Sequence, residues 1–267
     1  MIICDFHNHT DFSADCSVPA DIMIEQAIKK GISHLCITDH MDPDMNFPDL
    51  DFTFSLPDYF ARDRKLKEIY GEKIRLLTGI ELGLQPHIAD QLTGIVSCGD
   101  FDFVIGSAHV CDGMDPYFPA FWENRTDSQG FLRYFEYILE TLNAFDQFDV
   151  YGHLDYIVRY APSRTASYSY RSFEEILDEI LKTLISKNIG LELNTAGLKY
   201  GLGFAHPHPD ILKRYRELGG EILTIGSDAH KPEHLAYCFE SVPELLEHCG
   251  FRYYTIFQKR TPEFIKL

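Results

Sequence analysis

Short hydrophobic runs alternate with amphipathic segments along most of the chain. The first run, residues 2–6, precedes a segment, 19–30, that has a proline near its start and Gly31 just past its end, which is typical of a helix. The further predicted strands cover 35–38, 74–80, 103–106, 150–152, 189–193 and 221–226, with a candidate last strand at 253–257. The later predicted helices cover about 57–70, 87–96, 131–145, 173–187 and 209–218.

This regular alternation predicts parallel βα units. Seven such repeats without a linker-like break favour one closed or nearly closed α/β barrel over two domains. We therefore expect residues 1–267 to form a single domain. In a parallel barrel the carboxyl ends of the strands converge on one rim, where active sites are built.

Composition narrows the classes of protein and partner. The chain has 267 residues, 45% of them hydrophobic, and a formal net charge of −17, as in an ordinary soluble globular protein. No run approaches the roughly 20 apolar residues of a membrane span, and no signal peptide is visible. An acidic chain without a Lys/Arg block disfavours nucleic acid as a partner. The seven scattered cysteines form no CxxC pair, so we expect a reducing, cytoplasmic location.

Polar side chains follow the predicted strands. After the first strand, Asp5, His7 and His9 alternate and would share one face of an extended chain. Two imidazoles at that spacing can bind one metal ion, although a single HxH motif is a weak indication. The pattern recurs at the later strand ends, which carry Asp39 and His40, Glu81, His109, His153 and Asp155, and Asp228 and His230. Imidazole and carboxylate donors without a thiolate pattern suit Zn, Fe or Mn.

These strand-end motifs resemble those of the PHP (polymerase and histidinol phosphatase) superfamily. The motifs are DFHNHT at 5–10, TDH at 38–40, GIE at 79–81, SAH at 107–109, GHLD at 152–155 and GSDAH at 226–230. Their order and spacing cover almost the whole chain. The length, and the segments at 192–199 and 227–233, resemble the stand-alone histidinol-phosphate phosphatase branch more than a polymerase domain.

The resemblance implies a distorted (β/α)7, TIM-like barrel with three divalent transition-metal ions. Carried over by position, His7, His9, Glu81 and Asp228 would hold one ion. Glu81 would bridge to a second ion, completed by His109 and His153. The third ion would take Asp15, His40 and His230. Judged from the local sequence only, Asp15 would be assigned as a loop or helix-capping residue. The full set of ligands indicates an active catalyst.

Such a centre suits hydrolysis of a phosphate monoester by a metal-bridging hydroxide. Besides Glu81, His109 and Asp228, the candidate catalytic residues include Asp155. The proton for the leaving group would come from a metal-bound water, from Asp228 or from Asp155. The alternatives for Asp155 are that it supports His153 or that it is purely structural. The candidate substrate-binding residues are Arg159, Arg164, Lys199 and Asn194. Asn194 would either orient the substrate or turn the chain.

Other phosphatase chemistries fit the sequence poorly. Residues 49–53 match DxDxT, but this segment lies in an acidic loop and not at the end of a hydrophobic strand. No cysteine has an arginine six residues later, as a cysteine phosphatase requires. We therefore expect a small-molecule phosphate ester as substrate, most specifically L-histidinol phosphate in histidine biosynthesis. The alternatives are a PHP-type phosphoesterase acting on nucleotides or phosphotyrosine, and a non-catalytic metal-stabilised binding subunit. The sequence makes no prediction of the oligomeric state.

Overall fold

A computed structural model describes residues 2–45 and 47–267 of the chain. Met1, at the start of the predicted domain, and Asn46, in the predicted acidic loop, lie outside the described residues. The strands are β1 (Cys4–Asp5), β2 (His34–Ile37), β3 (His40–Met41), β4 (Arg75–Gly83), β5 (Phe103–Ser107), β6 (Val150–Tyr151), β7 (Gly190–Asn194), β8 (Leu223–Gly226), β9 (Tyr253–Gln258) and β10 (Thr261–Lys266). The helices are α1 (Ala20–Lys29), α2 (Leu56–Tyr70), α3 (Ala89–Ser97), α4 (Pro119–Trp122), α5 (Asp127–Ala144), α6 (Glu174–Ser186), α7 (Ala196–Lys199), α8 (Pro209–Glu217) and α9 (Val242–His248).

Seven parallel strands form the predicted barrel. Their order is β1-β2-β4-β5-β6-β7-β8, and the short strand β3 pairs in parallel with β4 beside β2. Backbone hydrogen bonds bring the first and last strands together, from Phe6 N–H to Ile225 O at 3.0 Å and from Asp228 N–H to His7 O at 2.9 Å. The barrel is therefore nearly closed, and the prediction of a TIM-like α/β fold is confirmed.

Local sequence explains where the outer helices begin and which face they bury. Thr126 and Gln129 form a reciprocal capping box at the start of α5, so this helix begins four residues before the predicted start. Helix α6 buries Leu177, Ile180 and Leu184, which recur at helical spacing, against the barrel. These apolar faces cover the strands from outside and leave the carboxyl ends of the strands free to build a site.

The carboxyl-terminal segment differs from the prediction. The candidate last strand is confirmed as β9, but it forms an antiparallel hairpin with β10, a strand that the sequence pattern did not predict. Arg260 at the turn of the hairpin contacts Asp149 with Nε and Oδ2 2.6 Å apart, and its backbone N–H donates to Asp102 O. The hairpin thus packs against the barrel beside β8. No helix in the described ranges is long and apolar enough to cross a membrane.

Candidate metal centre

All nine sequence-predicted metal ligands come together at the carboxyl ends of the strands. These residues, here called the ligand group, are His7, His9 and Asp15 after β1, His40 in β3, Glu81 in β4, His109 after β5, His153 after β6, and Asp228 and His230 after β8. The parallel register explains the convergence, since His40 and Glu81 are paired Cα partners.

Glu81 lies at the centre of the ligand group and is fully buried. Its Oε2 is 3.1 Å from His7 Nε2 and 3.0 Å from His40 Nδ1. Its Oε1 is 3.2 Å from His109 Nε2 and 2.9 Å from His153 Nε2. Its two oxygens therefore face different imidazoles from different strands, an arrangement that would let one carboxylate bridge two ions.

Asp228 and Asp15 complete the other side of the ligand group. Asp228 Oδ1 is 3.3 Å from His9 Nε2 and 3.5 Å from His230 Nδ1. Asp15 Oδ2 is 3.2 Å from His230 Nε2 and 3.9 Å from His40 Nε2. The rings of His40 and His230 stack on that of His9, with centroids 4.2 and 4.0 Å away. Asp15, the ligand least evident from local sequence, thus lies beside its two predicted partners.

Two further carboxylates orient imidazoles of the ligand group. Glu192 Oε1 is 2.6 Å from His7 Nδ1, and Asp42 Oδ1 is 2.5 Å from His109 Nδ1. A hydrogen bond from Nδ1–H to a carboxylate leaves the Nε2 lone pair available to a metal ion. In both histidines that Nε2 atom faces Glu81. The two outer carboxylates therefore select the tautomer that a metal site needs.

His9 is oriented through a hydroxyl group. Its Nδ1 is 3.0 Å from Ser13 Oγ, which donates to Asp39 Oδ1 at 2.9 Å. Asp39 also accepts a hydrogen bond from the Thr10 hydroxyl at 2.6 Å and contacts Arg62 at 3.3 Å. The aspartate of the TDH motif thus supports a ligand and does not itself face the centre.

Neither Asp42 nor Glu192 was among the sequence-predicted site residues. Asp42 lies two positions beyond His40, the same alternation that brought His7 and His9 together. Glu192 is a charged residue inside the buried apolar run of β7. Both signals were present in the sequence, because a buried charge in a strand needs a partner.

Unpaired buried atoms test whether the ligand group fits metal ions. His7 Nε2, His9 Nε2, His40 Nδ1, Glu81 Oε2 and His230 Nε2 have no hydrogen-bond partner among the described residues. They nevertheless lie 3.0 to 3.6 Å from an oxygen or nitrogen of the group. Two donors bound to one ion at about 2.0–2.2 Å are roughly 3.0–3.5 Å apart. The spacing and the donor types therefore fit divalent metal ions.

The charges of the ligand group are strongly coupled. Burial alone would raise the pKa of Glu81, but His7, His109 and His40 hold it well below its ordinary value. Burial would lower the pKa of His109, but Asp42 and Glu81 raise it to about 10. The buried carboxylates thus favour positive charge beside them, and protons and metal ions compete for the same imidazole nitrogens.

Two residues of the ligand group have left-handed backbone conformations. The φ angles are 21° at His153 and 51° at Asp228. Such conformations cost of the order of 1–3 kcal/mol in non-glycine residues and concentrate at functional sites. Gly226, two positions before Asp228, is required for packing, because a Cβ there would collide with Glu192 and His7.

A cavity of about 320 Å³ opens beside the ligand group. Polar residues of the group and of the loops line it together with aromatic and apolar side chains. The lining residues outside the ligand group are Asp42, Met45, Phe47, Leu50, Phe52, Asp115, Tyr117, Tyr156, Arg159, Tyr160 and Tyr200. The cavity can therefore hold a small molecule with one end at the ligand group and the other among aromatic rings.

Of the basic candidates for substrate binding, Arg159 lines the cavity. Its guanidinium lies over the rings of Tyr160 and Tyr200, 4.7 and 4.0 Å from their centroids. Lys199 is partly buried and does not line the cavity, and its Nζ donates to the backbone oxygen of Asp228 at 3.0 Å. Arg164 is exposed and does not line the cavity. Arg159 and Arg164 follow the same strand, but only Arg159 is placed where it can contact a molecule in the cavity.

Asn194 and Asp155 are buried and lie outside the cavity lining. Asn194 donates to Glu192 at 3.2 Å and accepts from the backbone of Ala196 at 2.9 Å, so it turns the chain and supports Glu192. Asp155 is 2.5 Å from His206 Nδ1 and accepts from the Tyr168 hydroxyl at 2.8 Å. Asn194 and Asp155 therefore hold the loops around the ligand group in place.

Comparison with known proteins places the chain in a family. The PHP domain family matches residues 5–196. The chain is 30% identical to the histidinol-phosphatase of Lactococcus lactis over 92% of its own length and 91% of the relative, and 31% identical to a probable histidinol-phosphatase of Clostridium acetobutylicum over 97% and 98%. It also superposes with a TM-score of 0.88 and 30% identity, over 97% of this chain and 98% of the other, on the crystal structure of the Lactococcus lactis histidinol phosphate phosphatase complexed with zinc, L-histidinol and phosphate. The chain belongs to the PHP family, in its histidinol-phosphatase branch.

Proposed function

We propose that this protein is a metal-dependent phosphatase that hydrolyses L-histidinol phosphate to L-histidinol and phosphate, a step of histidine biosynthesis. The observation that carries the proposal is the ligand group, with its unpaired buried atoms, at the edge of a cavity sized for a small molecule. The Lactococcus lactis relative, which holds zinc, L-histidinol and phosphate, supports the choice of substrate.

The metal part of the proposal is a centre of three divalent ions, with Zn, Fe and Mn as candidates. His7, His9, Glu81 and Asp228 would hold the first, Glu81, His109 and His153 the second, and Asp15, His40 and His230 the third. When bound, such ions supply positive charge to the phosphoryl oxygens and lower the pKa of the attacking water. That local positive charge explains how a chain of net charge −17 would attract a phosphate ester.

The protein side chains would orient the ester and move protons. Arg159 lines the cavity beside Asp228 and His230, where its guanidinium would bind phosphate oxygens. Asp228 lines the cavity too, so its carboxylate would accept the proton of the attacking water and pass it to the leaving oxygen. Asp155 is engaged by His206 and Tyr168 outside the cavity, which supports a positioning role for it.

Replacing Arg159 by lysine is expected to lower kcat/KM for the phosphate ester about 10- to 100-fold. Lysine keeps the charge but loses the two-pronged contact with phosphate and the stacking on Tyr160 and Tyr200. Steady-state kinetics measures the effect. Arg164→Lys, in the same loop but exposed, is the matched control and should behave as the unaltered protein does. Equal effects of the two changes would contradict the role given to Arg159.

The substrate assignment is tested by competing esters. One metal-replete preparation is assayed with L-histidinol phosphate, a set of nucleoside monophosphates and phosphotyrosine. We expect kcat/KM for L-histidinol phosphate to exceed the others by at least about a hundredfold. A preference for another ester would show that the substrate assignment is wrong, but it would leave the metal-dependent phosphatase mechanism in place. Absence of turnover with every ester, including a generic aryl phosphate, would indicate a binding protein.

The remaining parts of the proposal concern context. We propose that residues 1–267 act as one domain, which is supported by Asp228 and His230 lying beyond the residues that the family matches. All seven cysteines are free, which supports a reducing, cytoplasmic location. The net charge supports partners that are small molecules and not nucleic acids.

A further inference from the structure

Asp115 is a carboxylate of the cavity wall that stands outside the ligand group. Four aspartates line the cavity, Asp15, Asp42, Asp115 and Asp228, and all except Asp115 lie within 4 Å of an imidazole of the group. Asp115 Oδ1 accepts a hydrogen bond from the backbone N–H of Tyr117 at 2.8 Å, which fixes the direction of the side chain. In the part of the chain that the structure describes, no basic side chain forms an ion pair with it.

Asp115 and Arg159 place opposite charges in the lining of one cavity and form no ion pair with each other among the described residues. Arg159 lies on the rings of Tyr160 and Tyr200 instead. Burial raises the pKa of Asp115, and the nearby His109 and Arg159 oppose that rise. A partly buried charge without a partner is unfavourable. A ligand with a cationic group near Asp115 and an anionic group near Arg159 would therefore bind more tightly, because each residue would form an ion pair with it.

The proposed substrate carries both charges. Its phosphate is anionic, and α-amino groups ordinarily have a pKa of about 7.7–8.0, so its amino group is mostly protonated at pH 7. Its imidazole, with an ordinary pKa of about 6.5, is mostly neutral at that pH and suits the aromatic part of the cavity. Resting on the proposed function, we infer that Asp115 binds the ammonium group of the substrate and thereby selects amino-alcohol phosphates over phosphate esters that lack a cation.

The experiment compares two esters on two proteins. The esters are L-histidinol phosphate and 3-(imidazol-4-yl)propyl phosphate, which differ by the amino group alone. The proteins are the unaltered enzyme and Asp115→Asn, both loaded with metal. We expect the unaltered enzyme to prefer the amino ester by about 10- to 100-fold in kcat/KM, mostly through KM. Asp115→Asn should lose that preference, because its kcat/KM should fall much further for the amino ester than for the deamino ester.

Two further variants separate recognition from damage to the loop. Asp112→Asn, in the same loop but exposed and outside the cavity, should keep the full preference for the amino ester. Asp115→Glu should restore part of the preference, because it restores the charge. If Asp115→Asn retains the preference, or lowers kcat/KM for both esters equally, the inference is wrong. Failure of the unaltered enzyme to hydrolyse L-histidinol phosphate would instead overturn the proposed function.

Discussion

Replacement of Glu81 by glutamine is expected to lower kcat/KM for the phosphate ester by about a thousandfold or more while the barrel stays folded. Glutamine has nearly the same shape and keeps an oxygen for the hydrogen bond from Ser107, which donates to Glu81 Oε1 at 2.7 Å. It lacks the negative charge and the second anionic oxygen that face four imidazoles. A neutral amide cannot bridge two cations as a carboxylate does, so the bound metal should fall by at least one ion per chain.

The measurement for Glu81→Gln combines steady-state kinetics, elemental analysis and circular dichroism on the same preparation. Glu179→Gln removes one negative charge from an exposed position on α6 and is the matched control. It should keep unaltered kinetics and metal content. Near-unaltered activity together with full metal content in Glu81→Gln would show that Glu81 is not the bridging ligand.

The convergence of the ligand group could be predicted because it follows from topology. His7, Glu81, His109 and Asp228 are distant in the chain, but each lies at or near the carboxyl end of a strand, and parallel strands place those ends on one rim. Alternation along extended chain then placed the side chains of His7 and His9 together. Asp15 depended on the family resemblance, because a loop residue has no such periodicity.

The cavity wall could not be predicted because it is built by loops whose paths depend on tertiary contacts. Phe47 and Phe52 come from the segment before α2, and Asp115 and Tyr117 from the segment before α4. Nothing in the local sequence indicates that these two segments meet, whereas in the structure the rings of Phe47 and Tyr117 lie 6.3 Å apart. Residues that select the substrate are therefore harder to predict than residues that hold the metal.

The positions of the two arginines after β6 also depend on tertiary contacts that the local sequence does not indicate. Arg159 and Arg164 both follow the GHLD motif in one loop, and both were candidates for phosphate binding, with Arg159 the first choice. A short 310 segment, Tyr156–Arg159, directs the first toward Tyr200 and the cavity, while the second lies in the exposed turn that follows. Aromatic packing decides between them, and that packing involves Tyr200, which is 41 positions from Arg159 in the printed sequence.

Removal of the bound metal ions by a chelator is expected to abolish turnover and to lower the melting temperature by about 10 °C. Ions that bind the folded chain and not the unfolded chain contribute about 4 kcal/mol at a concentration a thousand times their dissociation constant, and a chain of this size shifts by about 2–4 °C per kcal/mol. The reason lies in the ligand group, since Glu81 Oε2, His7 Nε2 and His9 Nε2 are buried without hydrogen-bond partners among the described residues.

The chelation experiment also tests the number and identity of the ions. Metal-free protein is refilled separately with Zn, Mn and Fe(II), the last without oxygen, and each sample is analysed for metal content, melting temperature and turnover. We expect about three ions per chain and recovery of both activity and stability with at least one metal. His87→Ala, which removes an exposed imidazole paired with Asp44 away from the ligand group, should bind the same number of ions. Full turnover by protein that elemental analysis finds free of metal would refute the metal-dependent mechanism. Saturation at one ion per chain would refute the three-ion centre. We do not expect a single ion, because one ion would leave most of the buried imidazoles among the nine ligands unpaired.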